Sequence, residues 1–183
     1  MSNGRMAGIL RAYQNVLRKH PIIVQSIQVG ALMGLGDAIA QTFVERKGKE
    51  SKPFNFIRNR NFILLGTFVV GPAQSQWFKI LDRYIKGKRA EVVLKKMVCD
   101  QLIFAPFFLA VFLILLETLE KRSLSKAQKS MRLYYFDILK ANYTVWPLVQ
   151  LCNFYLVPVN YQTLLVQVVA IAWNTFISYR THV

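Results

Sequence analysis

The sequence predicts an all-α integral membrane bundle of about four transmembrane helices, with an N-terminal amphipathic segment and an additional or broken C-terminal helix. Three observations carry that expectation. The 183 residues contain four long runs almost free of Asp, Glu, Lys and Arg. Hydrophobic residues make up 54 % of a chain whose formal net charge is +15, so the charges are segregated from the apolar runs. The basic residues collect between those runs, as they do when spans are joined by basic loops. The whole of 1–183 reads as a single membrane domain, with no tandem repeat, low-complexity tract or interdomain linker.

Residues 1–20 carry Arg5, Arg11, Arg18 and Lys19 ahead of the first acid, Asp37, and Leu10, Tyr13 and Leu17 share a helical face. A basic, acid-free amphipathic start suits a mitochondrial import signal. It equally suits a helix lying in the membrane interface, where Tyr and basic side chains anchor well. The first predicted span is 21–44, interrupted only by Asp37. The second is 61–84 and the third 97–117, the latter holding the most apolar stretch, LIFAPFFLAVFLILL. Each is near the roughly 20 residues that a bilayer core requires. From Ala141 to Tyr179 there is no charged residue, and Pro158, which lacks an N–H, divides that stretch into a fourth span at 141–157 and a further apolar helix at 161–179. Pro72 and Pro106 predict kinks. The intervening segments 45–60, 82–96 and 120–132 are basic, rich in turn residues and expected to be exposed.

The spans are more than lipid anchors. Ser26, Gly30, Gly34, Asp37 and Gln41 fall on one helical face. Gly30 and Gly34 form a G-x-x-x-G on which another helix can pack closely. Asp37 is costly in lipid and must face the bundle or a wet pathway. It lines a pore on one reading; on the other it pairs with a basic side chain in a packing face. Asn142, Trp146, Gln150 and Asn153 form a second polar face, suited to a hydrogen-bond network or a hydrophilic lumen. Lys79 with Asp82, and Lys96 with Asp100, have ion-pair spacing. Trp77 and Tyr84 read as interfacial anchors.

Enzyme chemistry finds no support in the sequence. His20 and His182 lie outside the spans, and there is no H-E-x-x-H, no G-x-S-x-G and no phosphate-binding glycine loop. No cofactor or metal is expected. Cys99 and Cys152 are too few for a disulfide framework and read as reduced and buried. The basic loops suit anionic lipid headgroups better than nucleic acid, for which no binding module is present.

The motifs also occur in a recognisable order. LMGLGDAIAQ at 32–41 is followed by VGPAQSQWFKILDRYI at 70–85, KKMVCDQ at 95–101, NYTVWPLVQLCNFYLVPVNY at 142–161 and WNTFIS at 173–178. This series strongly resembles the Mpv-seventeen and peroxisomal membrane protein family, and especially its mitochondrial inner-membrane branch. The resemblance implies a small four-span protein of the mitochondrial inner membrane or, alternatively, the peroxisomal membrane. It implies a channel-like protein that passes small solutes or modulates membrane potential and supports mitochondrial homeostasis and mitochondrial DNA maintenance. The family's polar signature corresponds here to Asp37, Gln41, Trp77, Asp82, Asp100, Gln101, Trp146, Gln150, Asn153 and Asn174. Gln162 stands where the family often has Arg, which removes a possible partner for a buried acid. The polar residues would line a pathway for ions or metabolites, within one bundle or between the protomers of a homo-oligomer. The competing expectations are a non-conducting structural or adaptor protein and a peroxisomal pore.

Overall fold

The computed structural model describes residue 8 and residues 13–45, 53–121 and 124–182, and within them the chain is helical with no strand. Five rods follow in order. The first, α1, is Pro21–Ile39 continued by a π-helical turn, Ala40–Val44. Next, α2 is Phe56–Leu65, a π turn Gly66–Val70, and Gly71–Tyr84. The same construction recurs in α3, as Arg89–Cys99, a π turn Asp100–Phe104, and Ala105–Lys121. Without any π turn, α4 runs Leu124–Leu156 and α5 runs Val159–His182. Residues 13–19 are helical ahead of α1, while Arg5, Leu10 and Arg11 lie outside the described residues, as do residues 46–52 of the 45–60 segment.

The helices outrun the spans expected from charge. The 61–84 span begins at Phe56, where the Asn55 side chain caps the helix by accepting from the Arg58 N–H at 3.0 Å. The 97–117 span begins at Arg89, and the 141–157 span begins at Leu124, so much of the presumed loops 82–96 and 120–132 is helix. Charge marks where a helix leaves an apolar environment, whereas Lys, Arg and Gln remain good helix formers in water. The last helix likewise extends past 161–179 at both ends. Pro21–Val44 and Arg89–Glu120 are long and apolar enough to cross a membrane.

Two of the π turns end shortly before a proline, at Pro72 and Pro106. Proline removes an N–H and clashes with the carbonyl four residues back, and a widened turn relieves that clash. The Pro106 carbonyl accepts from Tyr135 Oη at 3.0 Å. Pro147 sits inside α4, which continues to Leu156.

Packing places α1 at the centre, against α2 on one side and α5 on the other, with α3 against α4 and α4 against α5. The helix α5 runs parallel to α1. Near its start the Asn160 carbonyl accepts from Gln25 Nε2 at 3.0 Å, and near its end Ser178 Oγ donates to Asp37 at 2.6 Å. One apolar cluster gathers Val29, Met33, Phe62, Leu113, Leu116 and Ile177, and a second gathers Phe78, Leu81, Val93, Trp146 and Val166. The α1–α2 crossing depends on glycine. A Cβ added at Gly66 would stand 2.7 Å from Gly30 Cα, and one at Gly71 would stand 2.5 Å from Ser26 Cα. One at Gly34 would strike Ile63, while Gly30 packs on Thr67 and the Ile63 carbonyl.

Because the atoms met at Gly71 are backbone, they cannot swing aside. Gly71→Ala should destabilise the bundle by about 1–3 kcal/mol, the usual cost of overpacking. Scanning fluorimetry of the purified protein checks this, and an unchanged melting temperature would rule out a crossing held by these glycines.

Candidate functional site

The buried polar groups separate into an ionic cluster and a central cavity. The cluster is built on Asp37, which is fully buried on α1. Arg58 Nε donates to Asp37 Oδ1 at 2.7 Å, and Ser178 Oγ from α5 donates to the same oxygen at 2.6 Å. Gln41 Nε2 at 2.8 Å and Asn59 Nδ2 at 3.0 Å donate to Oδ2. The Arg58 guanidinium then grips Glu45 through two hydrogen bonds of 3.0 and 2.6 Å. Gln41 also accepts from the Asn55 backbone N–H at 2.6 Å, which ties the foot of α2 to the end of α1. Each residue arrives by helical register: Asp37 and Gln41 are one turn apart, and Arg58 and Asn59 lie on the first turn of α2.

The second group surrounds Asp100, which opens the π turn of α3 and is 3 % exposed. It receives N–H donors from Trp77 Nε1 at 2.9 Å, Gln101 Nε2 at 2.8 Å and Gln150 Nε2 at 2.9 Å. Asn153 donates to Gln150 Oε1 at 3.0 Å and Asn142 to Gln101 Oε1 at 3.0 Å, so α2, α3 and α4 meet in one network. Among the described residues no cationic side chain pairs with Asp100. Lys96 reaches instead to Asp82, at 2.9 Å. Four residues join α2 to α3, which brings Asp82 and Lys96 side by side, so neither the Lys79–Asp82 nor the Lys96–Asp100 pairing expected from spacing forms. Trp77 is not an interfacial anchor. Its N–H is committed to Asp100 and its ring stacks on Phe104, with 5.0 Å between centroids.

Asp100, Gln101, Asn142, Trp146, Gln150 and Asn174 all line a cavity of about 120 Å³ between the two apolar clusters. Gln74 and Gln167 face it as well, joined by a 2.6 Å hydrogen bond between α2 and α5. Two buried atoms on its wall, Gln167 Oε1 and Asn174 Nδ2, have no hydrogen-bond partner among the described residues. Phe104, Phe108, Phe112 and Trp173 supply the apolar part of the lining.

The polar residues singled out in the sequence therefore part company. Asp100, Gln101, Trp146, Gln150 and Asn174 reach the cavity, whereas Asp37, Gln41, Asp82 and Asn153 do not line it. Gly30 and Gly34 lie at the α1–α2 contact. Sequence reasoning missed Arg58, Glu45 and Ser178. Arg58 falls in the segment taken for an exposed loop, yet it is 5 % exposed. No sequence signal separates it from Arg46, Lys47, Lys49 and Lys52, which all stand nearer to Asp37 in the chain. Gln162, where a basic residue was missed, bonds the Val157 carbonyl at 3.0 Å. Both cysteines are free, but neither is buried as the sequence suggested: Cys99 is half-buried and Cys152 is exposed on the surface of α4. Among the described residues no group of His, Cys, Asp and Glu could hold a metal ion.

The fold is a helical bundle in which two helices are long and apolar enough to cross a bilayer, around buried ionic and amide side chains, and this is the class of a helical membrane protein. Residues 117–178 match the Mpv17 / PMP22 family. The mitochondrial inner membrane protein Mpv17 of Homo sapiens is 44 % identical over 94 % of this chain and 97 % of its own length. That of Danio rerio is 39 % identical over 97 % and 99 %, and the protein SYM1 of Gibberella zeae is 36 % identical over 95 % and 98 %. No solved structure matches the chain. The chain belongs to the Mpv17 / PMP22 family. Relatives this similar over nearly their full length place it in the mitochondrial inner membrane rather than the peroxisomal one.

Removing one partner of a buried ion pair leaves the other charge unpaired, at about 3–5 kcal/mol. Arg58→Met should lose that much stability, and adding Asp37→Asn should recover most of it. A double-mutant cycle by denaturant unfolding in detergent measures the coupling, and additive losses would show that the two side chains act independently.

Proposed function

We propose that the chain is a channel-like protein of the mitochondrial inner membrane that passes small ions or metabolites. In this reading α1 to α4 are the four transmembrane spans of a single membrane domain, and α5 accompanies α1. The observation that carries the proposal is the central cavity, which brings a buried carboxylate, six amide side chains and aromatic walls from α2, α3, α4 and α5 to one place, with Met33 of α1 beside them. Apolar packing alone would not leave Gln167 Oε1 and Asn174 Nδ2 unpartnered there, because buried polar atoms without partners are costly. Water or a passing solute would satisfy them.

The two acids divide the work. Asp37 is paired with Arg58 and braces the bundle. Asp100, faced by three N–H donors and by no cation among the described residues, is the acid that a permeant species meets. Solute passage of this kind would also serve the support of membrane potential, mitochondrial homeostasis and mitochondrial DNA that the family resemblance implies. No catalytic residue or cofactor enters this reading, and no nucleic acid binds directly. Protomers of a homo-oligomer could widen the pathway beyond one bundle.

The test is single-channel recording of the purified protein in a planar bilayer under a salt gradient. Discrete currents are expected, with a reversal potential that moves toward that of a non-selective pore in Asp100→Asn. Gln150→Leu should reduce the conductance. A silent bilayer containing folded, inserted protein would overturn the proposal in favour of the adaptor reading.

A further inference from the structure

Away from the central cavity, α3 and α4 leave a groove on the outer surface. It measures about 350 Å³ and is lined by Ala90, Val93, Leu94, Leu151, Cys152, Tyr155 and Leu156. Its walls are almost wholly apolar, and Leu94, Tyr155 and Leu156 are exposed within it. Such a surface inside a membrane protein faces hydrocarbon.

What distinguishes this groove is its upper end. Arg89 opens α3 there, with its guanidinium 4.1 Å from the centre of the Tyr155 ring and Nη2 donating to the Tyr155 carbonyl at 2.6 Å. Those contacts fix the side chain while leaving its charge uncompensated, since among the described residues no acid pairs with it. Lys86 and Lys88 are exposed on the adjoining turn. The nearby acid, Glu91, lies 3.9 Å from Lys95. The first turn of α3 has no side-chain cap, so its N–H groups add positive potential at the same point.

An apolar slot that ends at a fixed arginine, with two exposed lysines one and three residues before it in the chain, suits an amphipathic anion. We infer that this groove binds an anionic phospholipid, with an acyl chain between α3 and α4 and the phosphate against Arg89, Lys88 and Lys86. A basic pocket at a helix–helix groove is how membrane proteins retain acidic lipids selectively rather than as bulk solvent. The site is separate from the cavity, so it stands whether or not the bundle conducts.

Thermal unfolding of the full chain in detergent would be followed as cardiolipin, phosphatidylglycerol or phosphatidylcholine is added. The two anionic lipids should raise the melting temperature and phosphatidylcholine should not. Arg89→Ala should weaken the apparent affinity about tenfold, as expected for loss of a charge-assisted contact. Cys152→Phe, which fills the exposed groove while leaving all three cations in place, should weaken it comparably. Arg60→Ala, an exposed cation elsewhere, should behave like the unaltered protein. Native mass spectrometry should show the retained lipid lost in the same two variants. Full retention by either groove variant, an equal effect of Arg60→Ala, or an equal shift with phosphatidylcholine would overturn the proposal.

Discussion

A carboxylate inside a helical bundle must be matched by a cation or by several hydrogen-bond donors, and Asp37 imposes that condition on the rest of this structure. Its two oxygens take donors from α1, α2 and α5, so all three helices are positioned relative to one buried charge. Arg58 can reach it only because α2 lies unusually near α1, and α2 lies that near only because glycine occupies the contact at Gly30, Gly66 and Gly71. The ion pair and the glycine face are therefore one device. The glycines bring the backbones together, and the pair fixes the axial register that van der Waals contact alone would leave loose.

The other deeply buried aspartate meets the same constraint differently. Asp100 has an indole and two amides in place of a guanidinium. The donors to Asp100 are neutral and it stands on the cavity wall, whereas Asp37 is enclosed in an ionic cluster with Arg58 and Glu45. One bundle thus contains an acid that holds helices together and an acid that remains available. Burial alone does not distinguish them; the partners do.

Much of this was legible from the chain. Uncharged runs gave the helical, membrane character, because a bilayer admits few charges and a helix keeps its polar residues in phase. The faces Asp37–Gln41 and Asn142–Gln150–Asn153 were readable for the same reason. Partners contributed by distant elements were not. Arg58 sits in a basic, turn-rich stretch whose composition is that of a solvated loop, and only the tertiary approach of α2 turns it inward. Trp77 likewise has the position of an interfacial anchor until α3 presents Asp100 to its indole N–H. Ion-pair spacing misled at Lys96 because the tight connection after Tyr84 supplied Asp82 as a nearer partner. Helix ends were hidden because charged residues extend a helix into water as readily as apolar ones extend it through lipid.

The π turns of α1, α2 and α3 have a bearing on how the chain tolerates changes in its length. Each turn accommodates one residue more than an α-helical turn would, closing i→i+5 hydrogen bonds instead of i→i+4. A residue gained or lost elsewhere in these rods would rotate everything beyond it by about 100° and carry a polar face into lipid. Within 40–44, 66–70 or 100–104, a loss of one residue can be absorbed by relaxation to the ordinary α-helix, with the phase on either side preserved. These wide turns are consequently the places where homologous helices can differ by a single residue and still present the same faces to their neighbours.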